Sequence, residues 1–268
     1  FQRHPVIFLT FKDLKGPALG PGRAIADLIA TEAIRLAPVI EPVLTSKDRE
    51  QWQALVSHGN DAAVKAPALL HLSRWLHRAT GEKVFILIDE YDTPIHDVYG
   101  DDKRYTEVVG FFRNFLSAGL KDNPHLEKGV LTGILRVAKE SMFSGLNNLQ
   151  VYSLLRAPYA TSFGFTEAEV KDLCAAASLS AAEQSELRTW YNGYRFSRRD
   201  VKVYNPVSTM LMLKNRLFSN YWFETGTPTF LLDVMKENDY DVRDVEALDV
   251  QEIAFSTFDV EALRVEPL

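Results

Sequence analysis

Residues 84–88 (VFILI) form an uninterrupted apolar run that is followed at once by Asp89 and Glu90, and this run constrains the fold more than any other segment. The run is too short to cross a membrane, which takes about 20 apolar residues. It also lacks the strict alternation of a strand with one face in water. Continuous apolar residues are typical of a strand in a parallel sheet that is covered on both faces. The sequence therefore predicts a central parallel strand whose carboxyl end carries two carboxylates.

Strand-like and helix-like segments alternate around this run. Further strands are predicted at residues 5–11, 129–135 and 150–155, and helices at 25–36, about 47–58, 62–78 and 105–120. Strands that are separated by helices favour a mostly parallel sheet. The predicted fold class is α/β, with a three-layer core built on that sheet.

The pattern changes after Gly164. Short helices are predicted at residues 167–175, 181–191 and 206–217, with a hairpin over residues 195–204. This succession predicts a helical or winged accessory subdomain. We therefore divide the chain into an α/β core over residues 1–164 and an accessory subdomain over residues 165–268.

Composition and charge exclude several classes of protein. The 30 basic residues are outnumbered by 36 acidic ones, giving a formal charge of −6, which argues against a surface that is basic overall. No segment is apolar enough to span a membrane. Because Cys174 is the single cysteine, no intrachain disulfide can form, and a reducing cytoplasmic location is expected. The six histidines show no metal-binding spacing, so no transition metal is predicted.

The two acids after the central strand have a chemical and a structural interpretation. Ligands of open parallel sheets gather at the carboxyl ends of the strands. There, Asp89 could hold a hydrated Mg²⁺ and Glu90 could orient and deprotonate water, as in half of a P-loop ATPase site. Alternatively, the two acids mark the end of the strand and cap the helix that begins near Thr93.

The phosphate-binding half of such a site is absent from the sequence. A phosphate loop needs a glycine-rich backbone followed by Lys and Ser or Thr. Residues 16–24 (GPALGPGRA) follow a strand and open a helix, but they carry Arg23 and Ala24 at those two positions. Two prolines also remove amide donors. We interpret this segment as a connecting loop.

Several motifs together resemble the AAA-ATPase-like family of prokaryotic proteins. They occur in the family's order and cover nearly the whole chain from Pro5. The motifs are LIDEYDTPI (87–95), LTGILRVAKESMFSGLNNL (131–149), FGFT (163–166), WYNGY (190–194), YNP (204–206), YW (221–222) and TGTP (225–228).

The resemblance implies an ATP-binding P-loop domain that uses Mg²⁺ and is usually followed by a nuclease-like domain of the PD-(D/E)xK type. Family members carry their phosphate loop upstream of the strand that resembles residues 5–11. We therefore expect the loop before Phe1 and the nuclease-like domain after Leu268, so that this chain is the middle of a longer protein. ATP hydrolysis is expected only with the upstream loop.

The resemblance also assigns roles to individual residues. Asp89 would be the acid linked to Mg²⁺, most simply through water, and Glu90 the general base. Arg136 lies where a sensor or phosphate-contacting cation would sit, and Thr132 is a second sensor candidate. Arg136 could equally be an ion-pair partner of nearby acids. An arginine from a neighbouring subunit often completes such sites, which favours a homo-oligomer.

Two alternatives to an ATPase remain open. The chain could be an interaction module that keeps the fold without binding a nucleotide. It could also bind nucleic acid through its predicted hairpin, where basic residues alternate with aromatic rings. The basic residues are Arg195, Arg198, Arg199 and Lys202, and the aromatic ones are Tyr194, Phe196 and Tyr204. The same pattern also fits a solvated hairpin whose rings pack on adjacent helices.

Overall fold

The computed structural model describes residues 3–14, 21–57, 65–98, 101–133, 146, 148–152, 156–197 and 199–221. Within these ranges the chain forms eight α-helices and five strands. They belong to two compact units, with the boundary between Leu149 and Gln150. The predicted α/β class is confirmed.

The first unit contains a three-stranded parallel sheet. Its strands are β1 (Val6–Thr10), β2 (Val84–Asp89) and β3 (Leu126–Leu131), in the spatial order β1-β2-β3. The apolar run is the central strand, as predicted. Thr10 pairs with Asp89, and Ile88 pairs with Leu131. The three carboxyl ends therefore meet at one edge of the sheet.

Five helices of the first unit are described. They are α1 (Pro21–Ile40), α2 (Ser46–Val56), α3 (Ala68–Thr80), α4 (Thr93–His96) and α5 (Asp102–Leu120). Helix α1 continues beyond its predicted end at residue 36 and includes Pro38, because the missing proline donor affects only the last turn and the 3₁₀ turn Glu41–Val43 follows directly. Helix α3 ends at Thr80, two residues beyond its predicted end at residue 78, and Gly81 follows it with a φ of 75°. No helix in the described ranges is both long enough and apolar enough to cross a membrane.

The hydrophobic core of the first unit lies against one face of the sheet. Ile7, Ile86 and Ile88 on this face are at most 2% exposed, and they belong to one cluster with Trp75 and Phe112 of the helices. Burying these large side chains is the main source of stability for such a unit.

The opposite face is covered less completely than the sequence predicts. Val6, Phe8 and Val130 are 37%, 47% and 41% exposed. The second helical layer of the predicted three-layer core is not among the described residues. The alternation of buried and partly buried residues along β2 reflects this difference between the two faces.

Side chains of α1 complete the hydrogen bonding of the outer edge of β1. The Phe8 amide donates to Glu32 Oε1 at 2.7 Å, and Arg35 Nη2 donates to the Val6 carbonyl at 3.0 Å. Arg35 Nε also donates to Glu32 Oε2 at 2.6 Å, which fixes both side chains. The pair satisfies backbone groups that a neighbouring strand would otherwise pair.

In the described part of the second unit there are three α-helices and a hairpin. They are α6 (Glu167–Ala176), α7 (Ala181–Tyr191), β4 (Asn192–Arg195), β5 (Lys202–Tyr204) and α8 (Pro206–Asn215). Helices α6 and α7 begin with capping boxes at Thr166 and Ser180, which explains why their starts were predictable. The unit has its own small core around Leu187, Tyr191 and Met212.

The second compact unit begins at Gln150. The Phe163 ring contacts Phe196, and Gly164 lies against Val203, so residues before 165 already pack within this unit. The prediction of a strand at residues 150–155 is wrong for residues 150–152, which the structure describes and which are not in a strand. Residues 153–155 lie outside the described ranges.

Candidate functional site

Asp89 lies where the carboxyl ends of all three parallel strands meet. Thr132, directly after β3, donates its hydroxyl to Asp89 Oδ1 at 2.6 Å. Thr10, the last residue of β1, donates its hydroxyl to Asp89 Oδ2 at 3.3 Å. The carboxylate is thus held from both sides by hydroxyl groups on neighbouring strands. It remains partly exposed at the sheet edge.

Backbone hydrogen bonds fix the position of these groups. The Thr132 amide donates to the Ile88 carbonyl at 2.9 Å, and the Tyr91 amide donates to the Thr132 carbonyl at 3.0 Å. On the other side, the Phe11 amide donates to the Asp89 carbonyl at 3.0 Å. The sheet therefore continues its hydrogen bonding around Asp89 and holds the site on a rigid frame.

Glu90 leaves the strand in a left-handed backbone conformation, with a φ of 51°. This conformation costs energy in any residue with a Cβ atom, and such strain tends to occur at functional sites. Thr93 Oγ1 donates to Glu90 Oε2 at 3.2 Å, and the Thr93 amide donates to the Glu90 carbonyl at 3.1 Å. The second acid is therefore held by the first turn of α4, apart from the hydroxyls that hold Asp89.

A buried pair lies behind the two acids. Asp92 is 1% exposed, and its Oδ2 lies 3.6 Å from Nε2 of His96 one turn along α4. Burial lowers the pKa of His96, although the nearby Asp92 charge opposes this effect.

Gly133 packs closely against the same turn. A Cβ atom on Gly133 would lie 2.8 Å from Asp92 Oδ1 and 2.7 Å from the Tyr91 ring. The turn after β2 therefore packs directly against the residues that follow β3. Only glycine at position 133 leaves room for this contact.

The structure brings together three of the four residues that the sequence analysis selected. Asp89, Glu90 and Thr132 lie at one edge, whereas Arg136 and residues 16–20 of the segment interpreted as a loop lie outside the described ranges. Residues 21–24 of that segment are the start of α1, so their assignment to a loop is wrong. Sequence reasoning missed Thr10 and Gly133. Thr10 could have been found as the polar residue that ends the strand next to β2.

The donor set at this edge suits Mg²⁺. This ion prefers hard oxygen ligands and is usually held by one or two carboxylates together with water and phosphate oxygens. Asp89 provides such a carboxylate in a fixed, partly exposed position. The described residues contain no group of three or more His, Cys, Asp or Glu side chains that could hold a metal by themselves. Asp89 therefore fits a hydrated ion shared with a phosphate ligand.

The basic residues of the predicted nucleic-acid surface lie in the second unit. Arg195 and Lys202 are paired across the β4–β5 hairpin, and Arg199 is in its exposed connection. Arg198 lies outside the described residues.

Comparison with known proteins gives a family for the chain. The sequence model of the AAA-ATPase-like family, described as a predicted AAA-ATPase, matches residues 2–143. A curated relative from Azotobacter chroococcum mcd 1, described as an uncharacterized protein in the vnfD 5' region, is 33% identical over 267 residues. The match covers 100% of this chain and 47% of the relative, so the chain spans about half the length of the curated relative that it matches. No solved structure matches the chain.

Proposed function

The chain belongs to the predicted AAA-ATPase family, and on that premise we propose that it is the ATPase domain of a longer protein. Mg-ATP binds at the carboxyl edge of the parallel sheet, and its hydrolysis depends on Asp89 and Glu90. The observation that carries this proposal is the convergence of Thr10 and Thr132 hydroxyls on the Asp89 carboxylate, beside a second acid. A structural strand end needs no such arrangement.

Asp89 holds the metal ion in this proposal. The two hydroxyl donors keep the carboxylate in one orientation. When bound, Mg²⁺ neutralises the developing charge on the β and γ phosphates. Arg136 is our proposed phosphate-contacting cation.

Glu90 takes the proton of the attacking water. Its Oε2 accepts a hydrogen bond from Thr93, so we assign the water to Oε1. The left-handed backbone at Glu90 turns the chain out of the strand directly after Asp89. The Glu90 carboxylate would there be available to a water that attacks a bound nucleotide. A phosphate loop must come from another segment, and a homo-oligomer could supply further charge from a neighbouring copy.

The test compares the full-length protein with the 268-residue chain. Mg-ATP binding is measured by calorimetry and hydrolysis by phosphate release, with Glu90→Gln in both proteins. We expect turnover in the full-length protein and its loss in Glu90→Gln, with ATP binding retained. Glu127→Gln is the matched control, because Glu127 is an exposed acid near the opposite end of the same sheet.

Two results would count against the proposal. Turnover that survives Glu90→Gln would remove the general-base role. Absence of both binding and turnover in the full-length protein would favour the alternative of an interaction module that has kept the fold without the nucleotide.

A further inference from the structure

The hairpin of the second unit presents aromatic rings on the protein surface. Phe163 is 50% exposed, Trp190 37% and Tyr194 42%. Tyr194 stacks on Phe196 with ring centroids 6.3 Å apart and an angle of 30° between the planes. Phe163 meets Phe196 edge-on at 6.2 Å. The rings are thus supported from within the protein while one side of each remains accessible. We call these four rings, together with Arg195, Arg199 and Lys202, the aromatic–basic surface.

A groove continues this surface between Trp190 and Tyr194. Its volume is about 260 Å³, and it is lined by Trp190, Tyr191, Asn192, Gly193, Tyr194 and Asn205. The lining thus consists of aromatic rings, two side-chain amides and a glycine, with no charged side chain. Asn205 Oδ1 accepts from the Ser208 amide and Asn192 Nδ2 donates to Glu167 Oε2, so the groove offers chiefly its aromatic walls, which can stack on the faces of a planar ring.

The backbone keeps this groove open. Gly193 has a φ of 137°, and the register of β4 against β5 shifts between Asn192 and Tyr194. This bulge leaves a position without a side chain between two groups that line the groove. A β-bulge often re-aims neighbouring side chains in this way.

The charge of the hairpin is opposite to that of the whole chain. Residues 192–204 contain four basic residues, Arg195, Arg198, Arg199 and Lys202, and one acidic residue, Asp200, whereas the chain carries a formal charge of −6. The Arg195 Nε to Asp200 Oδ1 distance is 4.0 Å, which makes this a loose surface pair. A local positive charge beside stacking surfaces complements a polyanion with accessible rings.

We propose that the aromatic–basic surface binds single-stranded nucleic acid. Unpaired bases stack on Tyr194, Trp190 and Phe163, and the side chains of Arg195, Arg199 and Lys202 contact the phosphates. Bases of a duplex are stacked on one another and cannot reach these rings, so the surface distinguishes single strands from duplexes. The inference concerns the second unit and does not depend on ATP binding by the first.

The test measures binding of a fluorescein-labelled 20-nucleotide oligo-dT to the chain by fluorescence anisotropy. We expect Tyr194→Ala with Phe163→Ala to weaken binding at least about fivefold, because stacking on each ring is lost. Tyr194→Trp should retain binding, since it keeps an aromatic face. Arg199→Glu with Lys202→Glu should weaken binding and flatten its dependence on salt.

Matched variants control for folding and for total charge. Tyr152→Ala removes a ring of similar exposure outside the hairpin, and Lys171→Glu with Lys214→Glu makes the same change in charge on exposed helical positions. Both controls should bind oligo-dT like the original chain. Circular dichroism melting establishes that the aromatic variants, which change exposed side chains, remain folded.

Heparin and duplex DNA separate the remaining explanations. Heparin carries negative charge without bases, so its binding should be insensitive to Tyr194→Ala with Phe163→Ala. The proposal would be overturned if Tyr194→Ala with Phe163→Ala weakened heparin and oligo-dT binding equally. It would also be overturned if this double variant weakened neither. A duplex that binds as tightly as the single strand would overturn it too, as would oligo-dT binding that the control charge reversal weakens as much as the hairpin variant does. If the surface instead docks a protein, the chain will not bind oligo-dT, which also overturns the proposal.

Discussion

At the scale of single residues, the two hydrogen bonds that the Asp89 carboxylate accepts differ in length. Thr132 donates at 2.6 Å and Thr10 at 3.3 Å. Thr132→Val should therefore lower ATP turnover by about tenfold, which corresponds to a lost hydrogen bond to a charged group. Thr10→Val should lower it less. Phosphate release by the two full-length variants checks the order, and a larger effect for Thr10→Val would contradict it.

Replacing Glu90 by glycine should have opposite effects on stability and on ATP turnover. Its left-handed backbone disfavours any side chain, so Glu90→Gly should raise the free energy of unfolding by about 0.5 to 1 kcal/mol while abolishing turnover. Asp122 has the same φ of 51° and lies at the other end of the sheet, before β3. Asp122→Gly should give a similar gain in stability and leave turnover unchanged. Urea denaturation of both variants provides the measurement, and a stability loss in both would refute the strain argument.

The sequence identifies the acids of the site better than their partners. Asp89 and Glu90 stand out because they end an apolar run, whereas Thr10 ends a strand that many residue types could end. Its role depends on register, which pairs it with Asp89 across the sheet. Gly133 depends on the approach of a turn more than 40 residues away in the chain. Neither relation has a local signature.

At the scale of elements, the approach of α3 and α5 depends on one glycine. A Cβ atom on Gly119 would lie 2.6 Å from both Cβ and Cδ1 of Leu69. Gly119→Ala should therefore lower the free energy of unfolding by about 1 to 3 kcal/mol, because the helices must move apart.

Gly110 in the same helix provides the control. A Cβ atom there meets nothing within 4 Å. Gly110→Ala should raise stability by about 1 kcal/mol through helix propensity alone. Thermal unfolding of the two variants should therefore move in opposite directions. Destabilisation of equal size in both would show that close packing is not the cause.

Element boundaries were predictable where a local signal marks them. Thr166 and Ser180 form capping boxes, so the starts of α6 and α7 match their predicted positions. Gly81 supplies a left-handed helix end, and the end of α3 lies two residues from its predicted position. The strand predicted at residues 150–155 has no such signal at its start. Apolar composition alone cannot distinguish a strand from an irregular segment that packs on neighbouring residues.

At the scale of the whole molecule, stability should fall as the pH is lowered through about 6.5. Burial lowers the pKa values of His71, His96 and His125 in the folded protein. As the pH falls, the unfolded chain takes up protons that the folded protein does not, so the free energy of unfolding decreases.

Below about pH 4, Asp48 adds to this loss of stability. Burial would raise its pKa, but hydrogen bonds from Arg78 and Thr45 outweigh that effect and hold it well below the ordinary value.

Melting temperatures between pH 7.5 and 5.5 test this expectation. The original chain should melt at progressively lower temperature, and His71→Gln should show a shallower dependence because one titrating group is removed. A melting temperature that is constant over this range would contradict the assignment.

The overall architecture was predictable only in part. The alternation of strands and helices predicted a parallel sheet, and the apolar run predicted its centre. The expectation that both faces are covered was inferred from that same run, yet Val6 and Phe8 on the neighbouring strand remain well exposed. Whether a face of the sheet is covered depends on segments that are distant in the sequence. The sequence of one strand carries little information about those segments.

The Glu32–Arg35 pair at the edge of β1 has a consequence for association between molecules. An open strand edge is a template on which another chain can add a strand and begin a fibrous aggregate. Here the Phe8 amide and the Val6 carbonyl are already bonded to charged side chains, which a recruited strand would have to displace. The chain thereby protects itself at this edge from amyloid-like growth, using two side chains of a single helical turn.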